Sequence, residues 1–140
     1  MGAQAQDCLP AVSALPRRIL IIEDNVDGRE SLARLLRMKG HTVVVAADGR
    51  QGLEAATRER PDIALVDIGL PDTDGYRLAA QLRKVLGPST LLAALTGYGQ
   101  RGDREQALQA GFDAHVTKPV ELDVLQALLS SNFQTRPLPE

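Results

Sequence analysis

Tryptophan is absent, and the only aromatic rings besides histidine are two tyrosines and two phenylalanines. Stacking on a flat cofactor such as a flavin has little to work with, so the core must be built from Val, Ile, Leu and Ala. Cys8 is the sole cysteine, which excludes an intrachain disulfide and a cysteine-based zinc site and fits a reducing compartment. The two histidines, His41 and His115, are not spaced as ligands. No apolar run approaches membrane-spanning length. The opening MGAQAQDCLPAVSALP has neither the basic start nor the apolar stretch of a secretory signal, and Gln6 stands where a myristoylation signal carries Ser or Thr. An excess of basic charge is lacking too. The 16 Lys and Arg face 18 Asp and Glu, a formal net charge of -2, so no direct nucleic-acid contact through a broad basic patch is expected. A cytoplasmic domain without membrane insertion is the expectation, with residues 1–16 as a flexible leader, 17–131 as one folded unit and 132–140 as a tail.

What is present is an alternation. RILIIE, TVVVAA, DIALVD, TLLAAL and AHVT are short aliphatic runs without strict polar alternation, as strands buried on both faces require. Between them lie helix-period segments. Leu32, Leu35 and Leu36 form a stripe that Gly40 can terminate, and Leu78, Leu82 and Leu86 recur before the Gly87-Pro88 stop. Softer helical segments follow at GRQGLEAATRER and DREQALQAG, and a last one carries Leu122, Leu125, Leu128 and Leu129. Strand-helix repeated five times implies an α/β fold with a parallel sheet and helices on both faces. Right-handed crossovers put every strand's carboxyl end on one edge, where such sheets bind ligands.

That edge collects chemistry. The first strand ends in Glu23 and Asp24, the third in Asp67, the fourth in Thr96, and the fifth runs into Lys118 and Pro119. Three carboxylates converging on one rim repel one another unless a cation sits among them. Oxygen ligands without His or Cys suit Mg²⁺ or Mn²⁺, and Lys118 adds a charge suited to a phosphoryl oxygen or to an unmetallated carboxylate. A carboxylate can attack phosphorus to give an acyl phosphate, while metal and lysine neutralise the transferring group. Taken singly, Asp67 reads as a strand-end acid, Asn25 as a helix cap and Lys118-Pro119 as a turn. Together with Glu23, Asp24 and Thr96 they read as a site.

The set IIEDN, LVDIGLPDTDGY, ALTGYG and HVTKPV resembles the receiver (CheY-like) domain of two-component response regulators and hybrid sensor histidine kinases, in order and spacing from Arg18 to Ser130. The resemblance implies a flavodoxin-like five-stranded sheet of order 2-1-3-4-5 with Asp67 as phosphoacceptor. It further implies that Asp24, Asp67 and the backbone carbonyl of Gly69 ligate Mg²⁺, with Glu23 acting mainly through metal-bound water. Thr96 would bond a phosphoryl oxygen after transfer, Lys118 would contact the phosphate, and Pro119 would follow a cis peptide. The donor implied is a phosphohistidine on a sensor histidine kinase or histidine phosphotransfer domain. The output surface implied is the face of the fourth helix, fifth strand and fifth helix, toward a downstream protein or a phosphorylation-dependent dimer. Slow self-catalysed dephosphorylation is implied as well.

Two places depart from the commonest receiver pattern. His115 takes the position often held by a rotating Tyr or Phe, and reads either as a switch or as a partly buried strand histidine. Gly69 and Tyr98 flank the expected acyl phosphate and are expected to tune its hydrolysis. His41 reads as a solvated turn residue, Tyr76 and Phe112 as packing residues, and Arg101–Gln106 as a solvated helix face. Rival functions lack their signatures. A dehalogenase-type phosphatase needs an acid at Gly69, a calcium loop around Gly75 would put Leu70 and Gln81 where acids belong, and the cobalamin pattern is missing after Asp67. A receiver-like interaction module without phosphorylation is the remaining alternative, and the acid–Thr–Lys set opposes it.

Overall fold

The computed structural model describes residues 16–97 and 110–129. Five strands, β1 (Arg18–Ile22), β2 (Thr42–Ala46), β3 (Ile63–Asp67), β4 (Leu91–Thr96) and β5 (Ala114–Thr117), form one sheet. All its pairings are parallel, and the strand order is β2-β1-β3-β4-β5. Helices α1 (Val26–Met38), α2 (Gly49–Glu59) and α3 (Gly75–Leu86) follow the first three strands, and α4 (Leu122–Leu129) follows β5. The strands expected from the aliphatic runs are all found, each within a residue of its expected ends. The helical segment expected at DREQALQAG lies outside the described residues apart from Ala110 and Gly111, as do the tail and residues 1–15 of the leader. This is the flavodoxin-like arrangement, and no described helix is long and apolar enough to cross a membrane.

The sheet is covered on both faces because successive strand residues alternate sides. Leu20 and Ile22 pack with Ala55 and Ala56 of α2 and with Leu78 and Leu82 of α3, while Ile19 and Ile21 pack with Leu32 and Leu36 of α1 and with Leu125 and Leu129 of α4. Burying each such Leu or Ile is worth about 1.5–3 kcal/mol. The helices start where side-chain oxygens accept their first amides. Asn25 accepts from Gly28 N at 2.8 Å, Asp48 from Gln51 N at 2.8 Å and Asp74 from Tyr76 N at 2.9 Å. Helix α2 ends on Arg60 in the left-handed region (φ 50°), where glycine is usual.

At the edge remote from the strand carboxyl ends, arginines serve carbonyls of helix ends, loops and the start of β2. Arg18 Nη1 donates to Glu59 O at 2.8 Å, Arg60 Nη1 to Val85 O at 2.9 Å, and Arg37 Nη2 to Val43 O at 3.0 Å. Arg83 of α3 donates to Gly87 O, Thr90 O and Gly111 O, each at 2.8–2.9 Å, and pairs with Asp113 at 2.7 Å. The expectation for His41 is overturned here. It is 5% exposed, and its Nδ1 accepts the Arg17 amide at 3.0 Å, tying the α1–β2 connection to the start of β1. Burial, then the Arg17 charge, holds its imidazole below the ordinary value of 6.5.

Candidate functional site

Parallel strands end together, so Glu23, Asp67 and Thr96 reach the same edge from β1, β3 and β4, with Lys118 arriving from β5. The edge is rigid because the strands behind it are wholly buried: Ile19 through Ile22 and Ile63 through Val66 are at most 1% exposed. Carboxylate oxygens of Glu23, Asp24 and Asp67 lie within 4.8 Å of one another. Glu23 and Asp67 are buried, whereas Asp24 is exposed.

The two buried acids are held by a cation and by amides. Lys118 Nζ stands 2.9 Å from Glu23 Oε1 and 3.2 Å from Asp67 Oδ2. The second oxygen of each carboxylate accepts a backbone N–H, Glu23 Oε2 from Asn25 at 3.1 Å and Asp67 Oδ1 from Gly69 at 2.9 Å. Burial, and then the hydrogen bond it shares with Asp67, push the Glu23 carboxyl above its ordinary 4.5 despite Lys118. Burial pushes Asp67 up as well. The bonds from Glu23 and the Gly69 amide, with the Lys118 charge, outweigh it and leave Asp67 below its ordinary 3.8. As acidity rises, Glu23 is therefore the member of the pair that takes the proton. Burial alone would lower Lys118, but its contacts with Glu23 and Asp67 outweigh that and raise it.

The remaining expected residues fall around this centre. Thr96 is 1% exposed. Its carbonyl accepts the Lys118 amide at 2.8 Å, and its hydroxyl donates to Val116 O at a long 3.5 Å. Gly69 touches Asp67 through its amide, and the Lys118–Pro119 peptide bond is cis. His115 is half-buried in β5, paired with Ala94 and not among the residues that meet the carboxylates. Tyr98 and Arg101–Gln106 lie outside the described residues. Tyr76 and Phe112 pack edge-to-face at 6.4 Å.

The GLPDTDG turn is a scaffold. Asp74 caps α3, and a Cβ on Gly75 would fall 2.4 Å from Ile68 Cα, so only glycine lets the helix start this close to the end of β3. Two supporting residues gave no sign in the sequence. Arg29 reaches back from α1 and donates from Nη1 to the Glu23 carbonyl at 3.0 Å. Asp72 accepts from the amides of Gly49 and Arg50 at 2.8 and 3.0 Å. Both are contacts between side chain and distant backbone, and no residue spacing encodes them.

Oxygen donors of three carboxylates within 4.8 Å of one another, two of them bridged by Lys118, are the donor chemistry a hard divalent cation takes. Comparison with known proteins agrees with this setting. The family model for the response regulator receiver domain matches residues 19–130. The transcriptional regulatory protein TcrA of Mycobacterium tuberculosis is 38% identical over 122 residues, which cover 87% of this chain and 48% of TcrA. The chain thus spans about half the length of that regulator. A CheY-like receiver domain protein from Methanospirillum hungatei superposes with a TM-score of 0.77 at 32% identity, covering 85% of this chain and 94% of its own. The receiver domain of sensor histidine kinase PA1611 from Pseudomonas aeruginosa, crystallised with a magnesium ion coordinated in its active-site cleft, gives a TM-score of 0.74 at 36% identity, covering 82% and 95%. With its sheet order, its acidic edge and these matches, the chain belongs to the response regulator receiver domain family of two-component signalling.

Proposed function

We propose that this chain accepts a phosphoryl group on Asp67 from a phosphohistidine of a sensor histidine kinase or phosphotransfer domain. The observation that carries the proposal is the carboxylate trio within 4.8 Å, with Lys118 bridging Glu23 and Asp67 at the open edge of the sheet. Asp24, Asp67 and the Gly69 carbonyl would hold Mg²⁺ or Mn²⁺, with Glu23 through water, and the bound ion supplies charge neutralisation and orientation to the incoming phosphoryl oxygens. Asp67, kept ionised by its amide and lysine partners, attacks phosphorus. An oxygen–phosphorus bond forms, the phosphorus–nitrogen bond of the donor breaks, and the electron pair stays on the departing imidazole. Lys118 transfers its contact from the carboxylates to a phosphoryl oxygen. The Thr96 hydroxyl, held only at 3.5 Å to Val116 O, gives up little in turning to another. Water attack on the acyl phosphate ends the cycle slowly.

The donor's approach is supported by an apolar cavity of about 270 Å³ beside the site, lined by Gly28, Leu32 and Leu35 of α1 and by Val120, and reaching Glu23 and Lys118. For the output, β5 and α4, the latter being the fifth helix of the sequence reading, would form part of the expected face, and the helix expected at DREQALQAG lies outside the described residues apart from Ala110 and Gly111. His115, half-buried in β5 beside Ala94, would be the ring that changes position. A downstream protein or a phosphorylation-dependent second copy would read this face. A phosphohistidine donor, made from ATP, supports a cytoplasmic location, and residues 17–131 are the unit that does this work. Beryllofluoride with Mg²⁺ should shift the amide resonances of Asp67, Gly69, Thr96 and Lys118 in the wild type and leave Asp67→Asn unchanged. No shift in either protein sinks the phosphoacceptor assignment.

A further inference from the structure

Gly69 sits at the mouth of the site, where its amide donates to Asp67 Oδ1 at 2.9 Å. It is exposed, and a Cβ built there would meet only Asp67 Oδ1, at 3.7 Å, within 4 Å. Its position is therefore set by what anchors the chain on either side. On one side stands Asp67 at the end of β3. On the other, Leu70 is buried in the core shared with α2 and α3, and the chain then rises through Pro71 to Asp72. Asp72 is the outer anchor. Its Oδ1 accepts from Gly49 N at 2.8 Å and its Oδ2 from Arg50 N at 3.0 Å, across 23 and 22 residues.

These two amides are the first two of α2. The third, Gln51 N, goes to Asp48 at 2.8 Å, and Gly52 N goes to the Asp48 carbonyl at 2.9 Å. Every amide of the first turn thus has a partner, and half of them are supplied by the loop of another strand. The fit is close as well as polar. A Cβ on Gly49 would lie 2.3 Å from Thr73 Cγ2, so the loop rests directly on the start of the helix. A carboxylate at a helix amino end is favoured by the aligned peptide dipoles, and Asp72 is held below its ordinary 3.8, first by the Gly49 amide.

We propose that Asp72 is a positioning residue for phosphoryl acceptance: by forking across the amides of Gly49 and Arg50 it clamps the β3–α3 loop to α2 and holds Gly69 in place beside Asp67 for the metal. The proposal rests on the function proposed above. Asp72 touches neither the metal nor the phosphoryl group and acts through Gly69. Helix α2 is also joined to the β1 side of the site, because Gly52 lies where a Cβ would meet Ile22 Cδ1 at 2.4 Å, one residue before Glu23. The clamp therefore references the loop to the same rigid frame that carries Glu23.

The test compares wild type, Asp72→Ala, Asp72→Asn and Arg83→Ala, the last breaking a structural network at the opposite edge of the sheet. Mg²⁺ affinity is read by titration calorimetry, Gly69 amide exchange by NMR on the metal-free proteins, and stability by urea unfolding. Direct outer-shell partners of metal ligands are worth about 10- to 100-fold in affinity, so Asp72→Ala, one step further out, is expected to weaken Mg²⁺ about 3- to 10-fold. It should also speed Gly69 exchange. Asp72→Asn keeps one acceptor oxygen and should recover part of both. Arg83→Ala should lose stability with Mg²⁺ affinity and Gly69 exchange unchanged. Wild-type affinity and wild-type Gly69 exchange in Asp72→Ala overturn the clamp while leaving the metal site standing, and so does an equal loss of affinity in Arg83→Ala. A wild type that takes no Mg²⁺ overturns the metal site itself, and the clamp's role with it.

Discussion

Adding one methyl group at each of two glycines should change stability in opposite directions. At Gly75 the new Cβ lies 2.4 Å from Ile68 Cα, 3.0 Å from the Asp67 carbonyl oxygen and 3.1 Å from Ile68 C. Carbon atoms rest at about 3.5–4.0 Å, so the start of α3 must retreat by about 1 Å. The obstructing atoms are backbone and cannot turn aside. Overpacking of this kind costs about 1–3 kcal/mol, offset by at most the ~1 kcal/mol alanine gains over glycine in a helix. At Gly28, in α1, the new Cβ meets only Asn25 Oδ1 at an ordinary 3.5 Å and Asn25 Cγ at 4.0 Å, so the helical gain of about 0.5–1 kcal/mol is realised in full. Thermal and urea unfolding followed by circular dichroism should place Gly75→Ala about 3–8 °C below wild type and Gly28→Ala about 2–4 °C above it. Gly75→Ala should also bind beryllofluoride and Mg²⁺ more weakly, because the displaced atoms belong to the acceptor strand. A Gly75→Ala protein more stable than wild type, as Gly28→Ala is expected to be, would refute the close approach of helix and strand on which the acceptor geometry depends.

Removing the bridging charge by Lys118→Met leaves two buried carboxylates facing each other. The metal-free variant should lose about 1 kcal/mol of stability, discounted for a side chain that is 33% exposed, and it should gain more from saturating Mg²⁺ than the wild type does. Mg²⁺ at about 100 times its dissociation constant should stabilise the wild type by about 2.7 kcal/mol, a gain that Asp67→Asn should largely lack. His41 has its folded-state pKa below the ordinary 6.5, so the unfolded chain takes up its proton first as pH falls. Its contribution is whole above about pH 6.5 and is lost as pH falls toward the folded value, and His41→Gln should flatten the urea-stability profile over that window. Leu82→Ala, at a side chain 0% exposed, should cost about 2–5 kcal/mol with no change in the order of metal preference.

Much of the fold was legible because its signals are local. Aliphatic runs without alternation mark strands covered on both faces, and the Leu32–Leu36 and Leu78–Leu86 stripes mark the helices that cover them. Chirality then brings the strand ends together, which is why Glu23, Asp24, Asp67 and Lys118 can be gathered from the sequence. His41 was misplaced because a histidine after Lys39-Gly40 looks like turn chemistry. Only the folded chain brings the Arg17 amide to its ring and closes it from water. Asp72 and Arg29 were missed for a related reason. A carboxylate in a PDTDG turn and an arginine on a helix are ordinary in sequence, and their partners are backbone groups, Gly49, Arg50 and Glu23, that no side-chain pattern identifies. Arg60 broke a rule outright, since its left-handed conformation is tolerated where its guanidinium reaches Val85 O.

The central claim is that Asp67 carries the phosphoryl group. Incubating the protein with acetyl phosphate and Mg²⁺, reducing the acyl phosphate with borohydride and mapping the reduced residue by peptide mass spectrometry locates the modified side chain directly. Reduction at Asp67 alone, abolished by chelating the metal and by Asp67→Asn, is the predicted result. A label on Asp24, Glu23 or any other residue, or an unmodified protein, would contradict it.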